Sequence, residues 1–260
     1  MILCGGMGTR LREVTEVLPK PMVPIGEQPI VWHIMKSYAA FGVNRFILCL
    51  GYKRECFVDY FANSRLRTTD ATIFPGRKDQ VKFHGQSDES DWEITLAGTG
   101  IGTGTGGRVK IASKYLREDD DCFFLTYGDG VSDIDVGTEL EFHRSKNVEL
   151  TIGAVHPAAR FGEILISGED KVESFVEKPS RVSGYINGGF MVMQKSFVSR
   201  FIPDEECFLE QQPLLSAARA GEMAAFRHEG FWQCMDTPRE HTMLNEMWLS
   251  GKAPWTKFWK

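Results

Sequence analysis

The chain of 260 residues has no run of eighteen apolar residues, so nothing in it reads as a membrane-spanning helix. No basic opening segment leads into an apolar stretch, and a secretory leader is not expected. Blocks of Lys and Arg are missing too. With a net charge of −5, this disfavours nucleic-acid binding. The six cysteines (Cys4, Cys49, Cys56, Cys122, Cys207, Cys234) never form a C-x-x-C pair. Cys4, Cys49 and Cys122 lie in apolar runs, where a thiol acts as a small hydrophobe. The expectation is a reducing cytoplasm and no disulfides. Six histidines show no paired ligand spacing, which argues against zinc. Internal repeats are lacking. The charged fraction of 25% and hydrophobic fraction of 42% are ordinary for a soluble globular chain.

What is present is concentrated at the start. Residues 3–11 read Leu-Cys-Gly-Gly-Met-Gly-Thr-Arg-Leu, and residues 18–22 read Leu-Pro-Lys-Pro-Met. A short apolar strand is predicted to run into a turn built on Gly5, Gly6 and Gly8. Glycines let a backbone approach a ligand closely. Successive N–H groups then converge on anionic oxygens. Arg10 can grip phosphate through two parallel hydrogen bonds. Lys20, between Pro19 and Pro21, comes from a backbone with few conformations. The pattern is neither a Walker loop nor a dinucleotide loop. Thr9-Arg10 follows Gly8 in place of Lys-Ser/Thr, and Leu11 stands where a third small residue belongs. This reads as a grip on a nucleoside triphosphate; an ordinary glycine turn beside a surface arginine is the competing reading. A first strand this short is expected to anchor the turn weakly. Since the chain is acidic overall, attraction for a triphosphate must come from a few placed cations: Arg10, Arg12, Lys20, Arg108 and Lys178.

Apolar runs at 46–50 and 122–126 suit strands buried on both faces of a parallel sheet. Helical periods fall between them: Ile30, Ile34, Met35, Tyr38 and Phe41 ending at Gly42; residues 54–62; and Val109, Ala112 and Leu116. This alternation implies an α/β fold with a doubly wound sheet. Further strands are predicted at 149–155, 163–167, 171–176 and 190–193, and helices at 206–220 and 239–249. Residues 64–91 are polar, with Gly and Pro, and read as a hairpin or an excursion from the sheet. The length fits a single domain. Its first half, 1–130, would hold the nucleotide and 131–236 the second substrate, with a C-terminal helix and aromatic tail at 237–260.

Asp129 lies in Tyr127-Gly128-Asp129-Gly130, directly after a predicted strand. Ligands of open α/β sheets bind at the carboxyl ends of strands, and a carboxylate there is placed to hold Mg²⁺. An Asp-Gly turn is the plainer alternative. Asp236 precedes a helical period, where a helix cap is the plainer reading. If Asp236 meets Asp129 in space, the pair could share a divalent cation for phosphoryl transfer. Lys178, before Pro179, is held extended at a strand end; it suits a phosphate oxygen or is simply solvated. The glycine-rich run 98–107 leads through Thr105, Gly106 and Gly107 to Arg108. It is either a platform for a base or phosphate or a flexible linker. Asn187 and Gly188, in Tyr185-Ile186-Asn187-Gly188-Gly189-Phe190, could bind sugar hydroxyls or form a bulge.

Together these residues resemble the sugar-1-phosphate nucleotidyltransferases over nearly the whole chain. The shared motifs are Gly5-Gly6-x-Gly8-Thr9-Arg10-Leu11, Lys20-Pro21, Gly128-Asp129-Gly130 and Glu177-Lys178-Pro179. Others resemble the CTP-using branch, among them Trp32-His33-Ile34-Met35-Lys36, Thr105-Gly106-Gly107-Arg108, Arg160-Phe161-Gly162, Gly230-Phe231-Trp232-Gln233 and Lys252-Ala253-Pro254-Trp255. The resemblance implies a Rossmann-like nucleotidyltransferase fold: a mixed, mostly parallel sheet flanked by helices, with a small β-excursion and a helical C-terminus. It further implies a homo-oligomer that uses Mg²⁺ to turn CTP and α-D-glucose 1-phosphate, a hexose 1-phosphate, into CDP-glucose and pyrophosphate. By the same resemblance, Leu3, Gly5, Gly6, Gly8, Thr9, Thr105, Gly106, Gly107, Arg108 and Gly128 bind the nucleotide. Arg10 meets the leaving phosphates, Lys20 neutralises the triphosphate, and Asp129 with Asp236 hold the metal. Lys178 takes the sugar phosphate, while Glu177, Asn187 and Gly188 meet the hexose. The chain departs from the family pattern at Ala97-Gly98, Gly104, Leu209, Cys234 and Pro238, where base, sugar or oligomer contacts are expected. A different nucleotide, a modified sugar phosphate, or an inactive nucleotide-binding regulator are the alternatives.

Overall fold

The computed structural model describes residues 1–8, 17–76, 81–157, 162–168, 170–177 and 184–259. Seven strands build the central sheet: β1 (Ile2–Cys4), β2 (Arg45–Leu50), β3 (Glu93–Gly98), β4 (Cys122–Tyr127), β5 (Leu150–Val155), β6 (Ile186–Gln194) and β7 (Met223–His228). Their order across the sheet is β7-β5-β6-β4-β1-β2-β3. β6 runs antiparallel to both β5 and β4, and every other pairing is parallel. The mixed, mostly parallel sheet expected from the sequence is therefore present.

The apolar runs behave as strands covered on both faces. Ile2, Cys4, Phe46, Leu48 and Leu50 point into one core, while Leu3, Ile47 and Cys49 point into another. Successive side chains of a strand face opposite ways, so a strand with a core on each side must be apolar throughout. β1 is only three residues long, yet it is well anchored. It lies mid-sheet, parallel to β2 and β4, all three residues are buried, and the Met1 ammonium donates to the Phe124 carbonyl at 2.7 Å. The weak anchoring expected of a short strand does not hold, because hydrogen bonds on both edges compensate for length.

Helix α1 (Ile30–Ala39) packs its apolar stripe, Ile30, Ile34, Met35 and Tyr38, on the first core. α2 (Arg54–Ala62) follows β2. The polar stretch after it forms a short helix (Ser64–Thr68) and a two-stranded excursion, Ala71–Ile73 with Val81–Phe83. α3 (Thr105–Ala112), α4 (Val136–Lys146), α5 (Lys195–Phe201), α6 (Gln212–Arg219) and α7 (Pro238–Leu249) complete the helices described. α6 starts later than the predicted 206, with Pro213 in its first turn. Residues before it are spent in turns: Asp204 Oδ1 accepts from the backbone N–H groups of Glu206 and Cys207. Glu163–Ile166 and Val172–Val176 pair as a separate hairpin. Among the described residues no helix is long and apolar enough to cross a membrane.

The aromatic tail packs on its own chain around His33. Trp248, Trp255 and Trp259 approach the imidazole with ring centroids 4.7, 6.0 and 5.7 Å away. His33 Nε2 lies 2.9 Å from the Ile25 carbonyl, and Trp255 Nε1 donates to His33 Nδ1 at 3.3 Å. That arrangement needs a neutral ring, and burial lowers the imidazole pKa to about 4. Trp255 is the largest fully buried side chain. Its truncation to Ala is expected to cost about 3–5 kcal/mol, the usual range for a buried aromatic, measured as a lower urea midpoint.

Glu139 on α4 is fully buried, and neither carboxyl oxygen has a hydrogen-bond partner among the described residues. Desolvation raises its pKa from 4.5 to about 8. In that window the unfolded chain releases the proton and the folded chain keeps it, so stability falls as pH rises from 4.5 to 8. Glu139→Gln should flatten this slope in thermal melts across that range, raising the melting temperature most at its alkaline end.

Candidate active site

The carboxyl ends of the parallel strands open into a cleft of about 430 Å³. Leu3, Cys4, Gly5, Gly6, Met7 and Gly8 form one wall where the chain leaves β1. Ile101, Gly102, Thr103, Thr105 and Phe208 form another, and Lys20, Tyr127, Asp129 and Asp236 close the floor. This is the position that α/β topology reserves for ligands.

Lys20 opens a 3₁₀ turn, Lys20–Met22, entered through extended Pro19. The backbone N–H of Met22 donates to the Pro19 carbonyl and that of Val23 to the Lys20 carbonyl, which fixes where the side chain departs. Its ammonium donates to Asp129 Oδ2 at 2.6 Å and to Asp236 Oδ1 at 2.5 Å. Lys20 is 8% exposed. Burial alone would lower its pKa, but the Asp129 charge and hydrogen bonds to both carboxylates outweigh that and raise it. The ammonium therefore stays charged.

The two aspartates, far apart in sequence, meet through a small sheet. Gly130–Ser132 pairs antiparallel with Trp232–Cys234, and the Met235 N–H donates to the Asp129 carbonyl at 2.8 Å. Asp236 then leads into α7 without capping it. Thr237 is the cap, in a reciprocal box with Glu240, and Pro238 begins the helix. The backbone N–H of Asp236 also donates to Glu240, at 2.7 Å. With the cap supplied by its neighbour, Asp236 turns its carboxylate to Lys20, which removes the plainer reading. The Cys234 thiol lies 3.6 Å from Asp236 Oδ2. Desolvation first, and the Asp236 charge next, push that thiol up to about 12, so it remains a neutral donor.

Arg108 lines the cleft and is tied into the backbone around it. The residue is 4% exposed, and its guanidinium donates to the Thr99 hydroxyl and to the carbonyls of Gly100, Gly5 and Ile101, at 2.7–3.1 Å. It thereby ties the glycine turn after β1 to the loop after β3. Gly5 is required for this, because a Cβ there would lie 1.9 Å from the guanidinium. The glycines that open α3 also meet protein. A Cβ on Gly107 would lie 1.8 Å from the Glu205 carbonyl oxygen, and the Gly107 N–H donates to the Cys207 carbonyl. Small residues here admit the segment 205–209 against the helix start.

Phe208 in that segment and Glu210 just after it are two residues that the motifs did not single out. Phe208 is half exposed at the cleft rim. The Glu210 carboxylate accepts from the Tyr127 hydroxyl at 2.5 Å and from the Thr105 hydroxyl at 2.6 Å. Thr105 in turn accepts from the Leu209 N–H at 2.8 Å. Glu210 thus joins the end of β4 to the start of α3. The signal available in sequence was the Glu-x-x-Pro-Leu pattern at 210–214.

On the other side of Tyr127, its ring fills the space that a side chain on Gly189 would need. Trp232 Nε1 donates to the Gly188 carbonyl at 2.7 Å, and Asn187 Oδ1 accepts from the Gly189 N–H at 2.8 Å. Asn187 is exposed and Gly188 buried. Glu177 directly follows the Val172–Val176 strand and is exposed. Thr9, Arg10 and Lys178 lie outside the described residues.

In chemical terms, the cleft offers two carboxylates that converge on one point, a charged lysine and a backbone turn rich in N–H groups. Such a set can hold a polyphosphate and a divalent cation together.

A comparison with known families matches residues 1–233 to the nucleotidyl transferase family. A glucose-1-phosphate cytidylyltransferase of Salmonella typhi is 44% identical over 260 residues, covering 100% of this chain and 99% of the relative. A probable glucose-1-phosphate cytidylyltransferase of Bacillus subtilis is 38% identical, again over 100% of this chain and 99% of the relative. Among solved structures, HddC from Yersinia pseudotuberculosis complexed with GMP-PN superposes with a TM-score of 0.63 at 26% identity, covering 95% of this chain and 97% of that one. Agreement of this extent along the whole length leaves one assignment: the chain belongs to the nucleotidyl transferase family.

Proposed function

We propose that the protein transfers the cytidylyl group of CTP to α-D-glucose 1-phosphate, giving CDP-glucose and pyrophosphate. The observation that carries this reading is Lys20 held between Asp129 and Asp236 in a cleft at the strand ends, in a chain 44% identical along its length to an enzyme named for that reaction.

The attacking oxygen of the sugar phosphate is already ionised, so the protein need not supply a strong base. Its task is to bring two anions together and to stabilise charge as pyrophosphate leaves in line. In this reading Gly5, Gly6 and Gly8 offer backbone donors to the triphosphate, and Arg10 and Lys20 neutralise it. The loop 101–105 and the start of α3 face the base. Lys178 binds the incoming phosphate, and Glu177, Asn187 and Gly188 contact the hexose.

Asp129 and Asp236 fit a hard divalent cation. Their donors are carboxylate oxygens, and no third His, Cys, Asp or Glu joins them among the described residues. Most coordination positions then fall to phosphate and water, as Mg²⁺ prefers. When bound there, Mg²⁺ would supply positive charge at the α-phosphate. A homo-oligomer in the cytoplasm completes the proposal. The exposed apolar side chains of Ile164, Leu165, Ile166, Val172 and Phe175 on one hairpin support self-association.

Asp129→Asn should lower Mg²⁺-dependent turnover by roughly 10²–10³-fold, the usual loss for one electrostatic stabiliser, with little change in melting temperature; near-normal pyrophosphate release would reject the metal assignment. Lys178→Ala should raise KM for the sugar phosphate far more than KM for CTP, and equal rises would reverse its role. The overall reading is tested by pyrophosphate release from four nucleoside triphosphates against a panel of sugar 1-phosphates. CTP with glucose 1-phosphate should give the highest kcat/KM, whereas turnover with no pair would favour a regulatory protein.

A further inference from the structure

The ammonium of Lys20 stands where both carboxylates converge, 2.6 Å from Asp129 Oδ2 and 2.5 Å from Asp236 Oδ1. A divalent cation held by these two carboxylates would compete with the ammonium for the same place, since both are positive and both need contact distance. The side chain is also poorly supplied with water, because Lys20 is 8% exposed. Leaving the carboxylates therefore requires another anion within its reach. The cleft provides that position beside it, along the turn Gly5 to Gly8.

We propose that Lys20 is the resident counter-cation of the two aspartates, and that it exchanges them for the triphosphate when metal and nucleotide arrive. Metal and nucleotide binding are thereby coupled through one side chain. This rests on the reading of the cleft as a metal and triphosphate site. Among these three side chains two negative charges face one positive charge, so the lysine keeps the carboxylates together and weakens the site for metal. When a triphosphate accepts the ammonium, both carboxylates become available to the cation. By linkage, the nucleotide tightens metal binding by the same factor as the metal tightens nucleotide binding. The backbone fits such a role: the turn at Lys20–Met22 is fixed by its own hydrogen bonds and by Pro19 and Pro21. The exchange then needs only side-chain torsions, with no movement of the chain.

The test uses Mn²⁺ as a probe, followed by electron paramagnetic resonance on the full chain without nucleotide. Lys20→Met removes the charge and keeps a chain of similar length. It should bind Mn²⁺ about tenfold or more tightly than the unmodified protein, a usual size for site coupling. Lys20→Arg should retain the weak affinity. Adding CTP, whose phosphates also ligate the metal, should tighten Mn²⁺ binding to the unmodified protein by a clearly larger factor than to Lys20→Met. Equal or weaker Mn²⁺ binding by a folded Lys20→Met would overturn the proposal. If that variant does not fold, CTP-independent Mn²⁺ affinity in the unmodified protein overturns it instead. The nucleotide-free arm does not depend on which triphosphate is used. A tighter Lys20→Met site without any CTP effect would therefore reject the choice of CTP while keeping the lysine exchange.

Discussion

The contact of one ammonium with two carboxylates organises this molecule. Lys20, Asp129 and Asp236 come from three separate stretches of chain, and each reaches the meeting point through a different device. A proline-flanked 3₁₀ turn delivers the lysine. The end of a buried strand delivers the first aspartate, and a short antiparallel pair followed by a capped helix delivers the second. A buried charge without a partner is strongly destabilising, so these devices must agree to within hydrogen-bond distance. That requirement makes the cluster a point on which distant parts of the fold converge.

The rest of the cleft is built by similar ties between backbone segments. Arg108 spends its donors on carbonyls, joining the turn after β1 to the loop after β3. Glu210 joins Tyr127 to Thr105. Trp232 holds the Gly188 carbonyl, so the side expected to bind sugar is fixed to the same short pair that presents Asp236. The His33 cluster works at longer range. Trp248 packs over Gly26, close after the lysine turn, and Trp248 lies on α7, which starts just after Asp236. The tail thus braces two of the three elements that form the ion cluster.

Much of this was legible in the residues. Apolar runs at 46–50 and 122–126 announced strands covered on both faces, and the glycine turn and the Pro-Lys-Pro lysine, singled out together, do line one cleft. The pairing of Asp129 with Asp236 was conditional in the sequence, because nothing local says that two such distant carboxylates meet. The role of Arg108 in holding the turn was not legible, because a guanidinium beside glycines suggests a phosphate grip and nothing local says that it also ties carbonyls of two loops together. Glu210 carries no periodic signal as a carboxylate in a loop, and the Glu-x-x-Pro-Leu pattern does not tell which hydroxyls it meets. The start of α6 was placed too early because Glu206 and Cys207 sit well in a helix until the Asp204 side chain competes for their N–H groups.

Proposed transfer of a nucleotidyl group to a sugar phosphate at this cluster is followed most directly by ³¹P NMR of the protein mixed with CTP, glucose 1-phosphate and Mg²⁺. A sugar-linked diphosphate signal should grow together with pyrophosphate, and should grow roughly 10²–10³-fold more slowly with Asp129→Asn or Asp236→Asn. No diphosphate signal from the unmodified protein, or an undiminished one from both variants, would contradict it.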